Sequence, residues 1–463
     1  MVLNLGIILT IFLIPCFGFT QVKSITAYNW SLNKVSNLPE PVTNGAVSAY
    51  STFNGTYIYI FGGLDSTLLS SGIHRRCYKI NISDSSDITR LPDLPDSLGR
   101  IALSATKVRD KIYIVGGYYV FANGREKSSS LVHEFDVRGD TFTNKKIVLP
   151  VPIDDHIQDV WEDSLLFVIN GWSDSANVRE TQIYNPSNNS WKKGSPYTND
   201  MIPTFGAGGG ISGNTIYVQG GARSDRNSFP SVSNYYKGEI EPNNPTQITW
   251  STITSNDSLT SYRSAIVFNG DGGPEPIIVG GSKRSYNYNA RDYSSGKLLA
   301  PMKSSIILGS TQSEFNTDQV LIPTTDLSIP MDIRDWGILR DWSFTLSSNS
   351  PNFSITYLAG GILENGKVSN QILSLSPSFP GNSNSIDTGV EPRFFPNPTK
   401  STVNIRYNNL FSTQIRIYNS SGNLMDQFYQ SEHEFILDLS HLRSGIYYYV
   451  DSQNQVTKKL IKK

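Results

Sequence analysis

The chain has 463 residues, 38% hydrophobic and 11% aromatic, enough to bury a large core and to fill more than one domain. With 39 Lys/Arg against 40 Asp/Glu and a net charge of −1, it lacks the basic stripe with interleaved aromatics that a nucleic-acid partner would require. Its 37 glycines and 24 tyrosines suit an all-β protein with many turns.

Residues 5–19 form a nearly unbroken apolar run. It is short for a bilayer span and fits the h-region of a signal peptide, although the preceding MVLNL carries no Lys or Arg. Cleavage is expected after Thr20 or Gly18, giving a signal peptide over 1–20 and no transmembrane span afterwards. Cys16 follows Pro15, a poor match to a lipidated cysteine. Cys77 then remains alone, so stability comes from burial and closure of the fold, not from disulfides. It reads as a buried apolar residue on a strand.

Next comes a repeat. Five short apolar strands end in a double glycine: YIYIFGG (57–63), KIYIVGG (111–117), TIYVQGG (215–221), PIIVGG (276–281) and ITYLAGG (355–361). A sixth, LLFVING (165–171), carries Asn-Gly there. A strand repeated with fixed punctuation marks an array in which no unit buries its own core. Glycine is needed there because the chain turns sharply where backbones converge. The second unit reads as four strands: IALSATKV (101–108), KIYIVGG, LVHEFDV (131–137) and TFTNKKIVLP (141–150). Phe135 and Phe142, like Tyr184 and Trp191, are placed to pair across a hairpin and pack between neighbouring sheets.

These features resemble the kelch repeat. Residues 91–117, LPDLPDSLGRIALSATKVRDKIYIVGG, carry the Pro-rich entry, Arg100, the apolar strand and the double glycine in that family's order. The resemblance covers nearly all of 24–377 and implies a kelch-type β-propeller over 21–377, with four-stranded blades around a channel. The spacing of glycines leaves two blade counts. SSIILGST (304–311) and QVLIPTT (319–325) read as the strand pair of a further blade, giving seven; without them there are six. Seven is the expectation, six the alternative. The N-terminal segment 25–41 reads as the outer strand that completes the last blade and removes open edges.

Residues 378–393 form a Pro/Gly/Ser/Asn linker, expected to be mobile. From 394 to 463 the pattern is a small β-sandwich, with strands at 402–407, 413–419, 434–440 and 446–451. FFPNPTKSTVNI, IYNSSGNLM, LDLSHLRSGIYYYV and the terminal KKLIKK resemble the type A C-terminal sorting domain of the Bacteroidetes type IX secretion system. The matching positions are Pro396, Asn397, Pro398, Gly422, Asp438, Leu439, Gly445, Tyr447 and Lys459. Pro-Asn-Pro bars helix before the first strand, and Gly422 and Gly445 suit tight turns. The resemblance implies export to the outer-membrane surface or the medium, with the type IX machinery as partner. The Asp-Ser-apolar triplets at 96–98, 163–165, 174–176 and 257–259 look like the O-glycosylation motif of such exported proteins.

A propeller carries function on the loops at one mouth of its channel. That face is expected to hold Asp65, Asp93, Tyr118, Tyr119, Asp154, Asp155, His156, Trp172, Asp174, Arg223, Asp225, Arg226, Arg263 and Arg284. Of these, Tyr118, Tyr119, His156, Trp172, Asp174, Arg223, Asp225, Arg263 and Arg284 are the candidate ligand-binding residues. Rings with Arg and Asp nearby suit stacking on a sugar or an acidic glycan. Arg100 and Arg263 have the alternative role of tying blades together. No catalytic residue, cofactor or metal is expected: the five histidines show no ligand spacing, and GAGGG (206–210) leads no helix. The leading expectation is a binding module for a glycan or a surface protein. The alternative is a kelch-scaffold sugar mutarotase or epimerase, in which an Arg and a carboxylate move protons.

Overall fold

The computed structural model describes residues 29–463 except 53–54, 83, 85, 227, 256–259, 270–274, 280, 300–304, 308–313, 316–318, 322–332, 335–336, 341–355, 364, 379–392, 407–412, 420–422, 431–433 and 452–455. The expected signal peptide, Cys16, nearly all of the linker and Gly422 therefore lie outside the described residues. Those that are described form an all-β protein, its one helical turn being the 3₁₀ segment Ser70–Gly72.

Four blades are complete antiparallel sheets. The first runs Ala46–Thr52, Gly55–Leu64, Ile73–Asn81, Ile88–Leu91, and the second Ile101–Val108, Lys111–Val120, Leu131–Asp136, Thr141–Phe142. The third runs Ile157–Trp161, Leu165–Ile169, Thr181–Asn185, Ser190–Gly194, and the fourth Gly208–Ser212, Thr215–Gln219, Tyr235–Glu241, Asn244–Thr252. In the fifth, Ala265–Asn269 pairs with Glu275–Val279, and Ser305–Ile307 pairs with Gln319–Leu321. Ser305–Ile307 runs beside Glu275–Val279, so these segments are the outer half of the fifth blade and not the inner pair of another. The described strands thus give six blades, the lower of the two expected counts.

The sixth blade closes the ring. Gly337–Arg340, Thr356–Ala359 and Gln371–Ser378 are completed by Asn29–Asn37, with Trp30 opposite Pro377 and Asn37 opposite Gln371. The inner strand of this blade lies beside that of the first. As expected, an N-terminal strand covers what would otherwise be an open sheet edge.

Blades pack face to face through the paired aromatics. Phe142 stands opposite Phe135 with ring centroids 5.0 Å apart, and both reach Phe61 of the first blade. Tyr184 and Trp191 repeat this at 5.0 Å, with Tyr113 of the second blade 5.6 Å from Tyr184. Cys77 is fully buried in the same layer as Phe61, and burial pushes its thiol up to about 12.

The double glycines bond neighbouring blades to each other. The second one turns its N–H onto the entry carbonyl of the next blade: Gly117 to Ile153 (2.9 Å), Gly221 to Ser261 (2.7 Å) and Gly361 to Val42 (3.0 Å). Gly171 does the same to Thr204 at 2.9 Å. This demands left-handed backbone, as at Gly360 (φ 76°) and Gly361 (φ 96°), and a Cβ on Gly360 would lie 2.0 Å from the Val42 oxygen. Asn170 replaces the first glycine of the third blade at φ 57°, and its side-chain amide bonds Thr204.

Residues 393–463 form two further sheets. One comprises Arg393–Phe395, Thr402–Arg406 and Glu434–Asp438. The other comprises Leu424–Gln430, Thr413–Asn419, Gly445–Asp451 and Val456–Lys462. Val403, Ile405 and Leu437 of the first meet Ile415, Ile417, Tyr449 and Leu460 of the second in one core, the expected small sandwich. Gly445 differs from its expected role. It opens a strand opposite Lys462, without left-handed backbone, and a Cβ there meets its nearest atom at an ordinary 3.7 Å.

These environments make opposite demands on a methyl group. Gly360→Ala should cost at least about 1–3 kcal/mol from left-handed strain, before the clash with Val42 is added. Gly445→Ala should stay within about 0.5 kcal/mol. Thermal unfolding of the two variants checks this, and equal losses would contradict the account.

Candidate functional site

The mouth of the channel is built from one backbone device used five times. Asn44, Ala102, Asp155, Gly206 and Arg263 stand where the inner strands of the first five blades begin, each with φ between 47° and 63°. Each passes its carbonyl to the next: Ala102 N–H to Asn44 (3.2 Å), Asp155 to Ala102 (3.2 Å), Gly206 to Asp155 (2.8 Å) and Arg263 to Gly206 (2.7 Å). The equivalent position of the sixth blade, 335, lies outside the described residues.

Side chains from alternate blades meet across this ring. Arg263 Nη2 lies 2.9 Å from each carboxylate oxygen of Asp155, and Nη1 donates to Asn44 Oδ1. The first, third and fifth blades are thereby pinned at the axis. Both partners are buried, with side chains 8% and 9% exposed, so the pair is screened little by solvent. The guanidinium also lies over the rings of Tyr262 (5.5 Å) and Tyr286 (5.6 Å). Arg100 holds the entry segment of the second blade to that blade's own strands: it is fully buried, donates to Asp96 at 2.8 Å and reaches the carbonyls of Gly116 and Leu131. Burial opposes ionisation of Asp96, but bonds from His133 and Arg100 hold its carboxyl below the usual range.

Segment 282–299 of the fifth blade covers the pin. Tyr286 and Ala290 are fully buried under it, together with Phe205, Tyr262 and Ile362. Tyr293 packs on Phe229 at 4.9 Å, and Trp172 sits 5.5 Å from both Phe205 and Phe229. Tyr288 joins Tyr118, Ile101 and Leu64 on the other side, and its carbonyl accepts from Asn44 Nδ2 at 3.3 Å. Asp292, buried beneath its own turn, accepts the N–H groups of Ser294 and Ser295. Among the described residues these rings pack on one another as a layer over the pin.

The candidate residues consequently divide. Tyr118, His156 and Arg263 are interior groups. Trp172 and Tyr119 are half-buried, Trp172 with its ring committed to the layer. Asp174, Arg223, Asp225 and Arg284 are exposed on the rim. Arg223 pairs with Asp225 at 3.2 Å and Arg284 with Asp292 at 2.7 Å. The rim loops are laced together. Asp174 accepts the Ser128 N–H (2.9 Å), Asn177 accepts the Ser224 N–H (2.7 Å), and Ser285 Oγ donates to the Phe229 carbonyl.

Two further carboxyls, Asp154 and Glu126, crowd the pin. Burial, reinforced by the Asp155 charge, pushes Asp154 well above the usual carboxylate range, although Ser128 Oγ donates to it at 2.6 Å. Glu126 is exposed, yet surrounding protein and the Asp155 charge raise its carboxyl too, against the pull of Arg263. Glu126, Asn44 and the tyrosines at 262, 286 and 293 were not singled out in the sequence. The surplus length before the double glycine of the sixth repeat was the available signal, and it builds the cap and the outer strands of the fifth blade. Among the described residues no group of His, Cys, Asp and Glu is placed to hold a metal, and no helix is long and apolar enough to cross a membrane.

Residues 393–463 match the family described as the secretion system C-terminal sorting domain. The protein is therefore one exported by the type IX system, secreted or attached at the cell surface, and its C-terminal segment engages that machinery. No curated protein matches the chain. Among solved structures, one titled "Structure of YjhT" is similar with a TM-score of 0.53 at 14% identity, covering 73% of this chain and 95% of that one. At that identity the likeness supports the propeller fold alone.

Two expected outcomes follow from these charges. Asp155→Asn leaves Arg263 buried without its counter-ion and should cost about 3–5 kcal/mol. Asp154→Asn should instead raise the melting temperature at pH 7. A carboxyl whose folded pKa is raised loses stability as pH climbs above its ordinary value of 3.8, and the amide removes that loss. The gain should shrink as pH approaches 3.8, and parallel melts of both variants from pH 4 to 7 would detect it.

The buried histidines set a window of opposite sign. Burial holds His74 and His156 at about 4 against 6.5 for a free imidazole. Their contribution is whole above 6.5 and is lost as pH falls toward 4. His156→Gln should flatten the fall in melting temperature across that window, and an unchanged slope would exclude His156 as a source.

Proposed function

We propose that the chain is an exported kelch propeller acting as a binding module for a glycan or a surface protein. In this reading the propeller ends at 377, a linker spans 378–393, and the sorting domain begins at 394. One observation carries it: the channel mouth is filled by the protein's own Arg263, Asp155 and tyrosine cap, while polar and aromatic groups stay accessible around the rim. Asp174, Arg223, Asp225 and Arg284 supply charge there. The hairpin of the second blade adds Tyr119 and Phe121, 6.4 Å apart, with Arg125 stacked on Phe121 at 5.0 Å. Planar rings beside Arg and Asp stack on a sugar face and bind its hydroxyls.

A second reading has its own support. Glu126 is an accessible carboxyl with a raised pKa beside the Asp155–Arg263 pair, the arrangement a sugar mutarotase or epimerase would use as acid and base.

A glycan array probed with the full-length protein, run beside a mutarotation assay on free sugars, separates the two. A binding module gives array signals that weaken about tenfold in Arg223→Ala, an interaction loss of about 1.4 kcal/mol, with no turnover. Mutarotation that disappears in Glu126→Gln would replace that reading with the enzymatic one.

A further inference from the structure

The Pro-Asn-Pro motif is joined to the far end of its domain. Pro396 and Pro398 have no N–H to offer a strand, so the motif cannot pair through its backbone donors at those positions. Asn397 substitutes its side chain. Its Nδ2 donates to the Lys459 carbonyl (2.6 Å) and its Oδ1 accepts the Ile461 N–H (2.9 Å), the donor and acceptor of one peptide unit. Thr399 continues the ladder, donating to the Ile461 carbonyl (2.8 Å) and accepting from Lys463 (2.8 Å). These four bonds cover the open edge of Val456–Lys462, whose other edge pairs with Gly445–Asp451. Thr399 is itself fixed by donating Oγ1 to the Thr402 carbonyl at 2.5 Å.

We propose that Asn397 is a positioning residue for export: it holds the exposed Lys459 and Lys463, which share the face of the strand opposite Leu460, as one fixed basic patch that the secretion machinery engages. The sorting signal is then a composite surface made by both ends of the segment. Leu460 anchors the strand in the core, which explains how the chain beneath the patch stays folded while its edge depends on the motif. The inference rests on the C-terminal segment alone and is independent of what the propeller binds.

The test uses the full-length protein in a type IX-secreting host, comparing wild type, Asn397→Ala and Asn397→Asp. Exported and periplasmic fractions are measured together with melting and with amide exchange at Ile461. Asn397→Ala should speed Ile461 exchange roughly tenfold, the equivalent of about 1.4 kcal/mol, and shift most of the protein to the periplasm while melting is retained. Asn397→Asp keeps the acceptor for Ile461 and loses only the donor to Lys459, so it should export at an intermediate level. Wild-type export of Asn397→Ala, despite faster exchange, would overturn the proposal. Should Asn397→Ala fail to fold, Asn397→Asp decides: folded and exported as wild type, it overturns the proposal equally.

Discussion

The propeller depends on a hydrogen bond that four of its six blades make to the next one's entry. A four-stranded sheet with two apolar faces cannot stand alone, so every blade needs a neighbour at a fixed height and angle. The second glycine of the pair supplies that reference by aiming its N–H at the entry carbonyl of the following blade. Side chains are excluded there because the first glycine's Cβ would strike that carbonyl, at 2.3 Å for Gly116 and 2.4 Å for Gly220. The repeat is therefore a contact between units before it is a feature of any unit. Closure follows from the same bond, since Gly361 of the sixth blade makes it to Val42 of the first.

A ring built this way leaves an axial hole, and the chain fills it from within. At the five described inner-strand entrances the left-handed residue alternates in kind. Asn44, Asp155 and Arg263 are polar and reach across; Ala102 and Gly206 between them are small. Gly206 has to be small, because a Cβ would lie 2.3 Å from the Tyr262 ring that supports the guanidinium. Taking an Arg and an Asp out of water is costly unless further bonds satisfy them. Here Asn44 adds a neutral acceptor and two tyrosine rings give the cation a second face.

Much of this was legible in the sequence, and the gaps have physical causes. The glycine pairs, the Phe135–Phe142 and Tyr184–Trp191 hairpins and the N-terminal strand are local patterns, and local patterns report on strands and turns. Blade number is different, because a period cannot distinguish an added blade from a long excursion inside one. Ser305–Ile307 has the apolar character of an inner strand but serves as an outer one, beyond a cap of about 20 residues of the kind long loops form over functional faces. Arg263 was recognisable as either a ligand group or a tie. Its partners lie 108 and 219 residues away, and only the ring brings them together. Aromatics at the mouth read as available for stacking, yet no sequence pattern tells a ring facing solvent from one facing Phe205.

Among the described residues the one cysteine, Cys77, is buried and unpaired, so the described fold is held without covalent staples. Both of its sheet assemblies answer this by bringing sequence-distant ends into contact. In the propeller, Asn29–Asn37 pairs with Gln371–Ser378, so the last blade cannot form until the whole ring has been laid down. In the sandwich, Asn397 and Thr399 bind Lys459–Lys463 within one 71-residue family match, so the basic end is ordered only once the entry motif is in place. Contacts of such long range close slowly but, once made, tie down the chain segments that would otherwise fray. A terminal strand held by the start of its own domain also reports that the domain is complete. A secretion machine that engages that strand would then distinguish a folded passenger tail from a truncated one without reading anything further upstream.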